Sequence, residues 1–159
     1  MAQKMILDLD TGIDDALAIA YALGSSEVDL IGITSEYGNV LTERSVVNSQ
    51  QILHLLGHPD IPVYLGAGHS TTTHDFSVLP ISAEIHGQDG VGEIHLTEPH
   101  PEMATESAVD FILRACQAYG ADLSIVATGP MTNLALAIQK DLPTLKKVGQ
   151  IVIMGGALT

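Results

Sequence analysis

Short apolar segments alternate along this chain with longer segments of helical periodicity, and this alternation constrains the fold more than any other feature. The apolar runs are short and often β-branched, as at 28–34, which is typical of strands buried on both faces of a sheet. They lie at residues 5–7, 28–34, 61–66, 122–127 and 148–154, and the helical segments at 14–23, 42–56, 102–119 and 132–139. Thr42 is the expected N-cap of the second helix. The alternation predicts one α/β domain over residues 1–159, with an open, mainly parallel sheet and helices on both faces.

The charge balance narrows the class of partner. The 159 residues include 6 Lys and Arg against 19 Asp and Glu, a formal net charge of −13, and 46% of the residues are hydrophobic. A chain this acidic is not expected to bind nucleic acid or an anionic membrane surface, and no apolar run approaches the ~18 residues of a membrane helix. The one cysteine, Cys116, is expected in the core of a helix. It excludes an internal disulfide and favours a reducing, cytoplasmic location.

Residues 67–101 interrupt the alternation. This stretch has little periodicity and holds five of the seven histidines, His69, His74, His86, His95 and His100. A long irregular segment inside a compact domain is usually a functional loop, so we expect an active-site loop or lid here. The glycine after His86 favours this histidine over the others as a functional residue, although a surface role is the ordinary alternative for a loop histidine.

Four aspartates follow the first strand within eight residues: Asp8, Asp10, Asp14 and Asp15. In open parallel α/β sheets, ligands bind at the carboxyl ends of the strands. A helix N-terminus accounts for one of these acids, but several adjacent carboxylates repel one another unless a cation neutralises them. Because all the donors are oxygens, a hard cation, Ca²⁺ or Mg²⁺, is predicted. The alternative is a solvated acidic turn.

Three further strand ends carry candidate site residues. Asn39 comes after Gly38 at the end of the second strand, Thr128 follows the strand at 122–127, and Met154 precedes two glycines after the last strand. Asn39 and Thr128 have ordinary explanations as residues of a turn or a helix cap, and the two glycines after Met154 are by themselves a weak signal. If the topology is as predicted, all three converge on the edge that carries the aspartates.

Five ordered segments of this chain are together similar to the inosine-uridine preferring nucleoside hydrolases. Thr11 stands where that family commonly has proline. The resemblance extends from the first strand to the last residue and implies a Rossmann-like nucleoside hydrolase fold. The segments are the aspartate cluster at 8–16, Gly38-Asn39, Ile85-His86-Gly87, residues 128–135 and Met154-Gly155-Gly156.

The resemblance implies calcium-dependent hydrolysis of the N-glycosidic bond of ribonucleosides, which gives ribose and a free base. The substrate is then a small molecule, and the enzyme a homo-oligomer. The implied calcium ligands are Asp10, Asp15 and the main-chain carbonyl of Thr128. Asp10 also serves as the catalytic base that activates the attacking water, and His86 lies near the substrate in the loop. The implied substrate-binding residues are Asp14 and Asn39, on the ribose hydroxyls, and Met154, beside the sugar.

The family pattern continues beyond Met154-Gly155-Gly156, whereas this chain ends at Thr159. The resemblance implies that the remaining half supplies another calcium aspartate, the Asn and Glu that hold the ribose 5′ side, and the groups that protonate the leaving base. We therefore expect a fragment with little activity alone and an exposed flank along 148–154. Whether purine or pyrimidine nucleosides are preferred is not encoded in these residues.

Two alternatives remain open from the residues. Asp8 and Asp10 at a strand end are similar to the nucleophile motif of Mg²⁺-dependent haloacid-dehalogenase-type phosphatases, although that motif favours Thr or Val at the place of Gly12. The second alternative is a non-catalytic half-domain that binds metal or ribose, or that assembles with a separate second half. The sequence contains no phosphate-binding glycine motif and no nucleophile elbow.

Overall fold

A computed structural model describes residues 2–96 and 104–156. Its sheet has five strands in the order β3-β2-β1-β4-β5, and every neighbouring pair is parallel. This confirms the predicted parallel α/β architecture. The strands are β1 (Gln3–Leu9), β2 (Val28–Ser35), β3 (Val63–Leu65), β4 (Leu123–Ala127) and β5 (Gln150–Ile153).

The helices connect successive strands and cover both faces of the sheet, as predicted. They are α1 (Ile13–Gly24), α2 (Thr42–Leu55), α3 (Pro80–His86), α4 (Ala108–Tyr119) and α5 (Thr132–Leu145), and a single 3₁₀ turn (Gly120–Asp122) precedes β4. Because a parallel strand must return to the same edge, each crossover brings a helix N-terminus next to the carboxyl end of the preceding strand. These strand ends and helix starts form the edge on which the candidate site lies.

Two apolar clusters form the core, one on each face of the sheet. The alternation of side chains along β1 places Ile6 in one cluster, with residues of α4 and α5, and Leu7 and Leu9 in the other, with residues of α1 and α2. Cys116 is fully buried in the first cluster, which confirms its predicted core position.

Several predicted boundaries are wrong. Residues 67–101 were expected to be irregular, but they contain helix α3, which ends at His86. Helix α4 begins at Ala108, because the Ser107 hydroxyl caps it by accepting the Asp110 N–H at 3.2 Å. Part of the predicted start of this helix lies outside the described residues, as does His100.

Thr42 is the first residue of α2 rather than its N-cap, and its hydroxyl donates to Ala67 O at 2.7 Å. Helix α5 runs on to Leu145, past a kink at Asp141.

Strand β5 forms one edge of the sheet among the described residues and is much more exposed than the central strands. Val152 and Ile153 are 48% and 55% exposed, whereas Ile6 and Ile125 are fully buried. This agrees with the expected exposed flank along the last strand. In the part of the chain that the structure describes, no helix has both the length and the apolar character that crossing a membrane requires.

Candidate active site

The candidate site lies in the crevice between the carboxyl ends of β1 and β4. Strands β2 and β3 lie on one side of β1, and β4 and β5 lie on its other side. The crossover connections therefore run in opposite directions from the point between β1 and β4. In doubly wound sheets this divergence opens the ligand-binding crevice. The turn after β1 supplies Asp10 and Gly12, and the turn after β4 supplies Thr128.

Asp10 is the central carboxylate of the crevice. It is 8% exposed, and its Oδ2 accepts the Asn39 N–H at 2.7 Å. Burial, and next the negative charge of Asp15, raise the pKa of Asp10 to about 7. Gly38 and Gly129 lie close to it: a Cβ on Gly38 would overlap with the Asp10 carboxylate, and one on Gly129 would lie 3.5 Å from Oδ1. The glycine at position 38 is thus what leaves room for this side chain, whereas a Cβ at position 129 would make ordinary contact with it.

Asp15 joins the turn after β1 to the turn after β4. Its Oδ2 accepts the Gly12 N–H at 3.0 Å, and its Oδ1 accepts the Thr128 hydroxyl at 2.7 Å. Asp15 is 2% exposed, and burial raises its pKa above the ordinary value. The first bond caps the N-terminus of α1, which is the ordinary role of an acid at this position. The second bond places this carboxylate beside Thr128, which capping alone does not explain.

His86 and Asp14 lie on the side of the crevice that faces α3. His86 is 8% exposed, and its Nδ1 accepts the Ile13 N–H at 3.2 Å, which leaves the proton of a neutral ring on Nε2. The Asp14 carboxylate is 3.7 Å from the same Nδ1 and its side chain is 59% exposed. A Cβ on Gly12 would lie 2.7 Å from His86 Nδ1 and 2.9 Å from Asn39 Nδ2, so Gly12 allows these two side chains to approach each other.

Met154 reaches the same edge through its backbone. Its N–H donates to Ala127 O at 2.9 Å, next to Thr128, and its side chain is 58% exposed.

The structure therefore brings Asp10, Asp15 and Thr128 together, with Asn39 bound to Asp10 through its main chain. It places the His86 ring 3.7 Å from the Asp14 carboxylate, and Met154 at the adjoining strand end.

A second set of polar residues lies beneath the crevice, and we call Asp8, Glu36 and Asn133 the anchor network. The sequence analysis grouped Asp8 with the other aspartates, but Asp8 is fully buried and its Oδ1 accepts the Thr34 hydroxyl at 2.5 Å and Asn133 Nδ2 at 2.9 Å. Glu36, which the sequence analysis missed, is also fully buried and accepts the backbone N–H groups of Thr132 and Asn133. Burial raises the pKa of both acids.

The Thr11 hydroxyl is 2.7 Å from Ser49 Oγ and accepts the Ser45 hydroxyl at 3.2 Å. Both serines are on α2. A buried hydroxyl needs hydrogen-bond partners, and the two serines supply them. This explains how a threonine is accommodated at the position where the similar family commonly has proline.

The crevice carboxylates are not neutralised by the protein's own cations. Among the described residues, the ion pairs formed by Lys and Arg go to Asp29, Asp89, Glu106 and Asp110. Two buried acids with raised pKa values and oxygen donors nearby fit a hard cation, as part of a shell of 6–8 oxygens in the case of Ca²⁺. Within residues 2–96 and 104–156, however, no three His, Cys, Asp or Glu side chains are grouped to hold a metal. The cluster of four acids predicted from the sequence is thus divided between the crevice and the anchor network.

The fold and the site together define an α/β protein with an acidic ligand crevice at the carboxyl edge of a parallel sheet. The chain belongs to the inosine-uridine preferring nucleoside hydrolase family, whose family model matches residues 5–159. This confirms the resemblance drawn from the motifs, and it favours that family over the phosphatase alternative for the segment from Asp8 to Asp15.

The relatives extend over the whole of this chain. A probable uridine nucleosidase 2 of Arabidopsis thaliana is 43% identical over 155 residues, 98% of this chain and 48% of that protein. A pyrimidine-specific ribonucleoside hydrolase of Citrobacter koseri is 38% identical over 158 residues, which are 99% of this chain and 49% of that protein. The solved structure of a purine-preferring ribonucleoside hydrolase from Gardnerella vaginalis superposes with a TM-score of 0.96 at 54% identity, over 99% of this chain and 50% of that one. The chain thus spans about half the length of these relatives.

Proposed function

We propose that this chain carries the cation-binding and ribose-binding part of a nucleoside hydrolase site, for calcium-dependent hydrolysis of the N-glycosidic bond of ribonucleosides. The observation that carries the proposal is the arrangement of Asp10 and Asp15 around the turn at Thr128, at the ligand-binding edge of a fold that belongs to this family. The relatives, a probable uridine nucleosidase, a pyrimidine-specific and a purine-preferring ribonucleoside hydrolase, support the ribonucleoside class of substrate.

Asp10, Asp15 and the Thr128 carbonyl are the proposed calcium ligands. A calcium ion in such a site supplies a fixed position for a vicinal diol and a water molecule and lowers the pKa of that water. The Asn39 N–H donates to one oxygen of Asp10, and the Thr128 hydroxyl and the Gly12 N–H donate to the two oxygens of Asp15. The orientation of both carboxylates is therefore fixed before any ligand arrives.

Asp10 is also the proposed base. In the reaction, a water oxygen bonds to C1′ of the ribose, the C1′–N bond breaks, and the electron pair leaves with the nucleobase, while Asp10 accepts a proton from the water. Asp10, Asp14 and Asp15 supply negative charge that stabilises the oxocarbenium-like sugar of the transition state.

Asp14, Asn39 and Met154 are the proposed ribose-binding residues, and His86 lies near the substrate. The exposed carboxylate of Asp14 is free to accept from sugar hydroxyls, and the Asn39 amide reaches the space beside Gly12 and His86. The described part of this loop, residues 67–96, with α3 inside it, would cover this side of the site. A homo-oligomeric assembly and a cytoplasmic location are further parts of the proposal.

Calorimetry and a hydrolysis assay on the same protein test the proposal. We expect the 159-residue chain to bind Ca²⁺, and Asp10→Asn to weaken that binding by ~100-fold, since it removes a charged ligand without changing the shape of the side chain. Asp60→Asn, at an exposed loop aspartate, is the matched control and should bind like the unchanged chain. Absence of Ca²⁺ binding would contradict the proposal.

The hydrolysis assay decides whether these residues act alone. Release of ribose from inosine and uridine is expected to be low for this chain, because its relatives are about twice as long and the resemblance assigns the protonation of the leaving base to their other half. Robust turnover that disappears in Asp10→Asn would show that residues 1–159 suffice. Calcium and ribose binding without any turnover is the outcome that the non-catalytic alternative predicts, and the span of half the relatives' length is the observation that favours it.

A further inference from the structure

Glu36 is a fully buried acid that does not reach the crevice. It follows β2 directly, and its carboxylate binds the first two backbone N–H groups of α5: Oε2 accepts from Thr132 at 3.0 Å, and Oε1 accepts from Asn133. A helix N-terminus is a favourable place for a carboxylate, because its N–H groups have no partners within the helix. Glu36 therefore caps α5 from a different element of the fold.

Helix α5 has no cap of its own. Its N-cap residue, Met131, has no side-chain acceptor, and it adopts the left-handed conformation with φ 67° and ψ 14°. Such a conformation is strained for a residue with a Cβ and persists only where the surrounding contacts enforce it. Because Glu36 binds the two residues that follow Met131, it holds the end of the turn at 128–131.

The segment that begins with Glu36 ends at the crevice. Tyr37 adds a second contact to α5, since its hydroxyl is 3.0 Å from Thr132 Oγ1. Gly38 packs against the Asp10 carboxylate, and the Asn39 N–H donates to Asp10 Oδ2 at 2.7 Å. Four consecutive residues thus connect the N-terminus of α5 to the central carboxylate of the candidate site.

Asn133 reinforces the same connection from α5. Its Nδ2 donates to Asp8 Oδ1 at 2.9 Å and to Ser35 O at 3.2 Å, and its Oδ1 accepts the Ala67 N–H at 2.9 Å. These partners lie on β1, at the end of β2 and after β3. The anchor network therefore fixes the carboxyl ends of three strands against the helix that follows the fourth.

We propose that Glu36 is a positioning residue of the cation site, which acts through residues 36–39 on Asp10 and through the turn at 128–131 on Thr128. The inference rests on the proposed function, because it concerns the affinity of the proposed calcium site. Glu36 touches neither ligand nor solvent, so it is not a catalytic residue. Its role is to hold the Asp10 carboxylate and the Thr128 carbonyl, the groups that would bind the cation, in place relative to each other.

Calcium calorimetry on Glu36→Gln separates positioning from plain stability. Glutamine has nearly the same volume, but its amide oxygen accepts only at one side, and its NH₂ group faces a backbone N–H donor instead of accepting from it. We expect the calcium affinity to fall ~10-fold, as when a residue that orients metal ligands is removed. Glu43→Gln is the matched control: Glu43 is in the first turn of α2 and exposed, and its affinity should stay within ~2-fold.

Circular dichroism at the titration temperature checks that Glu36→Gln is folded. A purely structural cap predicts a lower unfolding temperature with an unchanged calcium affinity, and that result would overturn the inference. It would leave the proposed function intact. If the unchanged chain itself does not bind calcium, both the proposed function and this inference are overturned.

Hydrogen exchange on the unchanged chain tests the same coupling without a substitution. Coupling between two sites is reciprocal, so calcium must slow the exchange of the Thr132 and Asn133 amides if the cap of α5 positions the calcium ligands. The Asp110 amide is the internal control, since Ser107 caps it at the start of α4, on a different helix. Equal exchange of the Thr132 and Asn133 amides with and without bound calcium would contradict the inference, even if Glu36→Gln does not fold.

Discussion

The crevice and the anchor network contain the same chemical group in two different surroundings. In the crevice, Asp10 accepts the Asn39 N–H, and Asp15 accepts the Gly12 N–H and the Thr128 hydroxyl, at the strand ends where ligands bind in such sheets. In the anchor network, Asp8 and Glu36 are fully buried and bind a side chain or backbone N–H of Asn133 in α5. Asp8 and Asp10 are only two residues apart, so the end of the first strand supplies one acid to each set.

This difference separates binding from support. Glu36 accepts the first N–H groups of α5 from beneath the crevice and thereby stabilises the fold, whereas Asp10 and Asp15 lie at the crevice, the place where a cation or a substrate binds. Asp8 Oδ2 is buried without a hydrogen-bond partner in the described part of the chain, which is the cost of placing a second acid directly beneath the first set. The following predictions test whether the two sets have different functions.

Asp15→Asn should have the largest effect, on ligand binding rather than on the fold. We expect calcium affinity to fall by ~100-fold or more, since the side chain keeps an acceptor for the Gly12 N–H but loses its charge. Asp14→Asn, one residue earlier on the exposed side, should change calcium affinity by at most ~3-fold and instead weaken ribose binding. Calorimetry with Ca²⁺ and with ribose distinguishes them, and equal losses of calcium affinity would break the assignment.

Glu36→Ala should differ from Asp15→Asn by lowering the stability of the fold in addition to the calcium affinity. It leaves two buried N–H groups at the start of α5 without an acceptor, which costs ~2–3 kcal/mol of the free energy of unfolding. We expect a fall of roughly 5–10 °C in the unfolding temperature of the metal-free protein. Glu43→Ala, at an exposed position in α2, should unfold within ~2 °C of the unchanged chain. Identical unfolding temperatures for the two variants would show that the cap of α5 is unimportant.

The pH dependence of stability follows from the raised pKa values of these acids. In the metal-free protein, Asp10 keeps its proton up to a pKa of about 7, whereas the unfolded chain loses it near ~4. The folded state thus binds more protons between these values, and stability is highest at low pH and is lost as the pH rises through about 7. We expect the free energy of unfolding to fall by roughly 2 kcal/mol between pH 5 and pH 8.

Urea unfolding at several pH values, in the presence of a calcium chelator, measures this slope. Asp10→Asn should reduce it, and saturating calcium should reduce it as well, because the cation binds the ionised carboxylates. A stability that rises from pH 5 to pH 8 in the metal-free chain would contradict the raised pKa of Asp10.

Thr11→Val should give the smallest effect. It keeps the shape of the side chain and removes the hydroxyl that bonds to Ser45 and Ser49, at a cost of ~1 kcal/mol. Because Thr11 lies outside both sets of acids, calcium affinity should remain within ~2-fold. Thermal unfolding and calorimetry on the same variant check both statements, and a large loss of affinity would extend the site to the contact between the first turn and α2.

The alternation of apolar runs predicted the sheet and most of its helices, because buried parallel strands and their covering helices have distinct periodicities. The strand-end rule likewise predicted that Asp10 and Asp15 would meet the turn at Thr128. Helix α3 was not predicted, since it has only seven residues and is held by a distant contact, from His86 to the backbone of Ile13.

Glu36 was missed for a related reason: its partners, Thr132 and Asn133, are 96 and 97 residues away along the chain. A glutamate beside Tyr37 and Gly38 has the pattern of an exposed turn. One signal was available, because Met131 before α5 lacks the oxygen that a helix N-cap requires. A helix start without a cap, in a fold that gathers strand ends around it, indicates that another strand end supplies the acceptor.

A crystal structure of this chain grown with calcium chloride tests the central claim most directly. The account predicts one calcium ion in the crevice, bound by the carboxylates of Asp10 and Asp15 and by the main-chain carbonyl of Thr128. Asp8 and Glu36 should lie outside its coordination shell and keep their bonds to Asn133 and the start of α5. A crevice without calcium at a saturating concentration, or an ion bound by Asp8 or Glu36, would contradict the division of these acids into a binding set and a supporting set.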